Sequence, residues 1–282
     1  MIERPELEGS PFDPKKYGTT AKKLDGQLLA ECAPGWVGFL QEFLVDAELL
    51  AMQKWANSVA VKRLRHNDHG PVHMRIAALH SLRIMHKLIE GGVEPSVVQE
   101  GYGERMHAEV ALVLGALMHD VGMGVTRQKH EWHSAAMADR MFDRYLPKLF
   151  PDDIASQVMV RTLAREIIIG HMGNEKVYSV EAGALLVADG TDMTSGRSRL
   201  VGMLHKDPAV GDMHKISADA CKEVRIEQGE NKPVAISILM DDYAGIFQVE
   251  QVLMPKVDAS PIKGYLEINV RVTDEPERRY LR

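Results

Sequence analysis

The sequence predicts a mainly α protein, an all-α helical bundle followed by a small α+β module. Three observations carry this. From Trp36 to about Thr194, apolar residues recur at 3–4 spacing almost without interruption, the period of one helical face. After about residue 205 the period shortens to two in PVAISILM and YLEINVRV, the alternation of half-buried strands. Residues 1 to about 35 carry Pro5, Pro11, Pro14, Gly18, Gly26 and Pro34 without a sustained period, which reads as an extended N-terminal arm. The resulting division is an arm over 1–35, a bundle over 36–204 and an α+β module over 205–282.

Phe39, Phe43, Ala47 and Leu50 mark one helical face, which Trp55 and Val59 continue. Gly70-Pro71 is a helix start, because proline is tolerated at the first helical position. That helix runs to about Glu90 and stops at Gly91-Gly92. The next begins near Glu104, and its EVALVLGALMHDV is apolar all round, which predicts deep burial. Helices near 131–146 and 152–171 follow, then one from Ser179 to about Asp189. In the last third, Ile216 to Val224 reads as a helix, while Val234, Ile236, Ile238 and Met240 alternate as a strand. AGIFQVEQVLMPKV is helical and YLEINVRV a second strand. Strand, helix and strand in sequence make an α+β arrangement, for which a ferredoxin-like fold is one option.

With 282 residues, 45% hydrophobic and 26% charged, the chain has ample material for a core and is not a disordered one. Net charge is −6 and no basic block occurs, so duplex nucleic acid is not an expected partner. The longest apolar run, Val110 to Met118, is nine residues, well short of the roughly 20 that cross a bilayer, so no membrane partner is expected. The start, MIERPELEGSPFDPKK, has neither the basic nor the apolar stretch of a secretory signal. Cys32 and Cys221 lie too far apart for a CxxC zinc site and are too few for a disulfide framework. A cytoplasmic location is the expectation.

Ten of the twelve histidines fall between His66 and His171. Within that stretch the doublet His119-Asp120 ends the apolar helix, where a buried ionisable pair is costly unless a partner such as a divalent cation compensates it. His73 sits in the first turn of the Gly70-Pro71 helix, His130 opens HEWHSAAMADRMF, His171 closes REIIIGHMG, and Asp189 lies in LLVADGTDM. Taken singly, each is more often a satisfied core or helix-end residue. Histidine and aspartate at the ends of several buried helices of one bundle are how such folds build internal metal sites. Imidazole and carboxylate suit manganese, iron, cobalt, nickel or zinc, one or two ions per chain.

The order His73, then His119-Asp120, then Asp189 resembles the HD superfamily of metal-dependent phosphohydrolases, over roughly residues 65 to 195. LMHDVGMG and ADGTDM carry the resemblance most specifically. The variants with two metals add two histidines, for which His130 and His171 are the matches; His133, three residues on from His130 on the same face, competes with it. The resemblance implies that Asp120 is shared between two metals, with His73, His119 and Asp189 on one and His130 and His171 on the other. It implies hydrolysis of a phosphate mono- or diester of a nucleotide-like small molecule, with a metal-activated water as nucleophile. A di-iron oxygenase of the same fold and a nucleotide-binding sensor are the alternatives. The family's frequent lysine after the doublet is replaced here by Met123, so a cation must come from elsewhere. Candidates for contact with a small phosphorylated substrate are Arg127, Lys129, His133, Arg197 and Arg199, because arginine's planar fork matches phosphate oxygens. Asp68 and His69, just before the first ligand helix, are candidates for proton transfer beside Asp120. A homodimer through the α+β module is compatible with the sequence.

Overall fold

The computed structural model describes residues 18–194, 217 and 219–281. The helices are α1 (Thr19–Glu31), α2 (Val37–Leu44), α3 (Ala47–Lys62), α4 (Pro71–Glu90), α5 (Ser96–Gln99), α6 (Arg105–Met118), α7 (His130–Leu149), α8 (Ile154–Gly170) and α9 (Val180–Thr191). The strands β1 (Cys221–Gln228), β2 (Val234–Met240), β3 (Leu266–Val272) and β4 (Arg278–Leu281) form one sheet. This is the mainly α architecture with a small α+β module that the periodicities predict. Among the described residues no helix is long and apolar enough to cross a membrane.

Helix α6 lies at the centre. From Ala108 to Met118 every side chain is buried, as its all-round apolar sequence requires. It packs between α4 and α8, and α9 closes the layer against α4 and α8. Local signals set the ends: Pro71 starts α4, Glu104 and His107 cap α6 reciprocally, and Ser179 caps α9 through Ala182 N at 3.0 Å. The face read through Phe39 to Val59 belongs to two helices. Asp46 accepts from Glu48 N at 2.8 Å and Leu49 N at 3.1 Å, which starts α3 afresh after Val45.

Two expectations are corrected. Residues 19–31, read as part of an extended arm, form α1. Its Ala21, Leu24 and Leu28 follow helical spacing and pack inward; of the residues that suggested an arm, Gly18 and Pro34 stand outside its ends, while Gly26 lies within it on the exposed face. Cys221–Val224, read as the end of a helix, belong to β1, because sheet pairing with β2 (Val224 opposite Ile238, Ile226 opposite Ile236) outweighs local propensity.

The sheet runs β1-β2-β3-β4. The outer pairs are antiparallel and β2 is parallel to β3. The parallel pair needs a crossover, and the chain supplies it as Ile246–Gln248, a π-helical turn Val249–Leu253 and α10 (Met254–Ala259). Among the described residues the module has one helical crossover and the sheet order β1-β2-β3-β4, which differ from the ferredoxin-like β-α-β-β-α-β arrangement. Its β1 and β2 pack on α4, and its crossover packs on α9. Cys221, Val234, Ile236 and Ile268 accordingly share one hydrophobic cluster with α4, α6 and α9.

Two buried charges hold the N-terminal elements on this core. Arg75, wholly buried in α4, donates to Asp25 Oδ1 (2.6 Å), Gln53 Oε1 (2.8 Å), Pro71 O (3.1 Å) and Leu44 O (3.2 Å). Glu109, on α6, accepts from Ala33 N (3.0 Å) and Trp36 Nε1 (3.0 Å) and lies 3.1 Å from His86 Nε2. Burial opposes its ionisation, but these donors prevail and hold its carboxyl below the ordinary value of 4.5. A depressed folded-state value stabilises the fold above the unfolded value and ceases to do so as pH falls through the folded one. Glu109→Ala should therefore cost roughly 3 kcal/mol near pH 7, since it strands two donors. The gap between variant and parent, measured by urea unfolding at a series of pH values, should narrow as pH falls through the carboxylate range and keep the part due to the stranded donors.

Candidate metal centre

The C-terminal ends of three helices meet in the bundle interior. His119 and Asp120 leave α6, His171 leaves α8, and Asp189 sits in the last turn of α9. His73 reaches the same point from the first turn of α4, and His130 from the first residue of α7. All six are buried, with at most 7% of any one exposed. Three helix C-termini, partly negative, thus meet two N-termini, partly positive, so the helix ends largely offset one another and the side chains decide what the site favours.

The side chains divide around Asp120. Its Oδ2 lies 3.2 Å from His73 Nε2 and 3.3 Å from His119 Nε2; its Oδ1 lies 3.0 Å from His130 Nε2 and 3.4 Å from His171 Nε2. The imidazoles are paired in the same sense, His73 with His119 and His130 with His171, each pair with Nε2 atoms 3.1 Å apart. Asp189 Oδ1 joins the first pair, 3.1 Å from His73 and 3.7 Å from His119.

Every one of the four rings is oriented through its other nitrogen. His119 Nδ1 lies 2.7 Å from Ala116 O, His130 Nδ1 2.9 Å from Arg127 O, and His171 Nδ1 2.6 Å from Ile168 O. Each acceptor is the carbonyl three residues back, one that a helix end or turn leaves without a backbone donor. His73 Nδ1 instead lies 2.7 Å from Asp192 Oδ2. With Nδ1–H donated outward, the Nε2 lone pairs point inward, and two such lone pairs 3.1 Å apart repel unless a proton or cation lies between them. His73, His119 and Asp189 form one group that could hold a metal ion, and His119, Asp120 and His171 another, the ligand atoms of each lying within 4.8 Å of one another. The nitrogen and oxygen donor set fits first-row divalent metals.

The electrostatics agree with a cation site. Burial raises the cost of ionising Asp120, but His119 above all, with His69 and His130, holds it well below the carboxylate range. Asp189 is likewise held low against burial, by Lys256 first and then by His119 and His73. Burial works against a charged His119, yet the two carboxylates outweigh it and raise that imidazole to about 9. Burial lowers His171 to about 4 despite Asp120.

Close packing fixes these positions. Gly122, two residues after Asp120, leaves no room for a side chain: a Cβ there would lie 2.0 Å from His130 O and 2.6 Å from Ser134 N. The start of α7 can thus sit directly on the turn, and Gly122 N donates to Ser134 Oγ at 2.8 Å, which delivers His130. Gln53 donates to Leu117 O at 2.7 Å and tethers the end of α6 to α3.

A pocket of about 310 Å³ opens over the cluster, lined among others by His69, Asp120, Arg127, His130, His171 and Asp189. Of the sequence candidates, His130 is in the cluster, whereas His133 is exposed on the outer face of α7 and cannot compete as a ligand or touch a substrate in this pocket. Lys129 is also exposed, the left-handed residue before α7, and does not line the pocket. Arg127 does. His69 lines it too, its ring 5.6 Å from that of His73. Asp68 instead faces Asn57 Nδ2 (3.2 Å) and Gly70 N (2.8 Å), where it shapes the turn into α4. Arg197 and Arg199 lie outside the described residues.

Two residues escaped the sequence reading. Asp192, one turn after Asp189, was visible in DGTD as a second carboxylate on the same face. Lys256 carried no signal at all. It comes from α10, and its Nζ lies 2.5 Å from Asp189 Oδ2 and 2.7 Å from His171 O. His80 stands one layer back, 2.7 Å from Thr191 Oγ1, and burial keeps it neutral, lowered to about 4.

Asp192→Ala should weaken metal retention by about 10–100-fold, since it frees the His73 ring while leaving every inward-facing donor in place. Chelator competition followed by elemental analysis measures this.

No protein-family model matches the chain, and no solved structure matches it. Over 234 residues it is 36% identical to the uncharacterized protein MJ1020 of Methanocaldococcus jannaschii, spanning 83% of this chain and 88% of that protein.

Proposed function

The chain belongs to one family with MJ1020, and we propose that it is a metal-dependent phosphohydrolase of the HD type, acting on a small phosphate mono- or diester. One observation carries the reading: the two oxygens of Asp120 are divided between two imidazole pairs, 3.0–3.4 Å from four Nε2 atoms. A carboxylate so divided has the form of a bridging ligand. The order of His73, His119-Asp120 and Asp189 along the chain, which resembles the HD pattern, supports it further.

His73, His119 and Asp189 would hold one ion, His130 and His171 the other, with Asp120 common to both. A pair of divalent ions supplies a water-derived nucleophile near neutral pH and neutralises phosphoryl oxygens. The protein's own groups do the rest. Burial of the ligands keeps bulk water from competing for them. Arg127 lines the pocket with a guanidinium whose neighbours are His130 Nδ1 (3.0 Å) and the Met172 sulfur (3.9 Å). Because His130 Nδ1 faces two acceptors, Arg127 O and Glu131 Oε2 (3.3 Å), it carries a proton and cannot accept from that guanidinium. The Arg127 donors are thus left for non-reacting phosphate oxygens. His69, on the pocket wall beside His73, would give a proton to the departing ester oxygen as the P–O bond breaks.

Asp120→Ala should abolish metal content and phosphoesterase activity together, whereas Arg127→Gln should keep both metals and lose activity. Elemental analysis of protein purified without chelator, joined to a panel of phosphomonoesters, phosphodiesters and nucleotides, checks both. Full metal content in Asp120→Ala would sink the bridging assignment. Metal-loaded protein that turns over nothing in the panel would sink the phosphohydrolase reading.

A further inference from the structure

We propose that Lys256 of the C-terminal module is a substrate-contacting residue of this site, so that the α+β module supplies one wall and one cation of an anion-binding pocket. The inference rests on the phosphohydrolase reading and extends it to a part of the chain outside the helical bundle.

The placement of Lys256 is built into the packing. The π-helical turn Val249–Leu253 adds a residue to the crossover, and the chain continues into α10 against the last turn of α9. Gly190, next to Asp189, permits the approach: a Cβ there would lie 3.1 Å from Lys256 Cδ and 3.2 Å from Leu253 Cδ1. Further along, Ser260 Oγ donates to Gly183 O at 3.2 Å and fixes the other end of the same contact. The lysine side chain is therefore only 12% exposed, and its stem is gripped between two helices rather than left in solvent.

The donor count then assigns it a task. An ammonium group has three N–H donors. Two are spent, one on Asp189 Oδ2 and one on His171 O, the carboxylate and the backbone of ligands on opposite sides of Asp120. Among the described residues the third has no acceptor, and it lies on a residue that lines the pocket together with its neighbours Gln251, Val252 and Pro255. Arg127 stands in the lining of the same pocket with donors that no carboxylate among the described residues takes up. Two cations from distant parts of the chain thus border one 310 Å³ space above a cluster of inward-facing donors. A tetrahedral oxyanion such as a phosphoryl group meets both, because its several oxygens can accept from a guanidinium and an ammonium at once.

The test uses the full chain loaded with manganese and titrates inorganic phosphate calorimetrically. Lys256→Met should keep the parent's metal content and raise the phosphate Kd by about tenfold or more, the effect of losing one charge-assisted hydrogen bond. Lys256→Arg should restore most of the affinity, and Lys129→Met, on the exposed surface, should leave it unchanged. Unaltered phosphate affinity in Lys256→Met with metals retained would overturn the proposal while leaving the phosphohydrolase reading in place. Loss of metal in Lys256→Met and its recovery in Lys256→Arg would overturn it in another way, making Lys256 a positioning residue for Asp189. A parent protein that holds its metals yet binds no phosphate would bring down the phosphohydrolase reading itself.

Discussion

The structure depends on a cost that must be met somewhere. Four imidazoles and two carboxylates are buried together where helices α6, α8 and α9 end, a place with little water to solvate them. An unpaired buried charge is among the most destabilising features a fold can carry. Here each group has a compensating partner. Helix-end carbonyls take the Nδ1 protons of three rings, Asp192 takes the fourth, and Lys256 takes the outer oxygen of Asp189. The arrangement turns a secondary-structure problem, unsatisfied carbonyls at helix ends, into control of which nitrogen each histidine offers inward.

That economy explains why so many unrelated features converge on the same small volume. Gly122 has no side chain so that α7 can deliver His130, and Gln53 holds the end of α6 that carries His119 and Asp120. Arg75, through Gln53, links this tether to α1, α2 and the start of α4, where His73 sits. The scaffold thus reaches the ligand set through a short chain of buried polar contacts, the construction that holds donors to within a fraction of an ångström.

The C-terminal module is joined to this construction rather than appended to it. Its sheet shares the hydrophobic cluster of the bundle, and its crossover reaches the carboxylate of Asp189. A change of sequence texture near residue 205 marks where the secondary structure changes. It does not mark where the site ends, because a wall of the pocket is drawn from residues 251–256.

The sequence by itself determined the helices of the bundle and the candidate ligands. Both follow from short-range chemistry: apolar residues at 3–4 spacing, Pro71 and Ser179 at helix starts, and histidine or aspartate where buried helices end. The strands Val234–Met240 and Leu266–Val272 were legible for the same reason, as alternation is a local property. Only the tertiary structure decided what depends on groups distant in the chain. It placed His130 inward and His133 outward, although both lie on one helix, because Gly122 and Ser134 fix how α7 meets the turn after Asp120. It folded Thr19–Glu31 into a helix that needs Arg75 and Arg83 as partners for Asp25 and Glu31. It brought Lys256 to Asp189 across 67 residues, a contact made by a parallel-strand crossover packing on α9. Periodicity and caps report what neighbours in sequence do to one another, whereas the orientation of a side chain in a buried cluster is set by packing between elements, which no local pattern encodes.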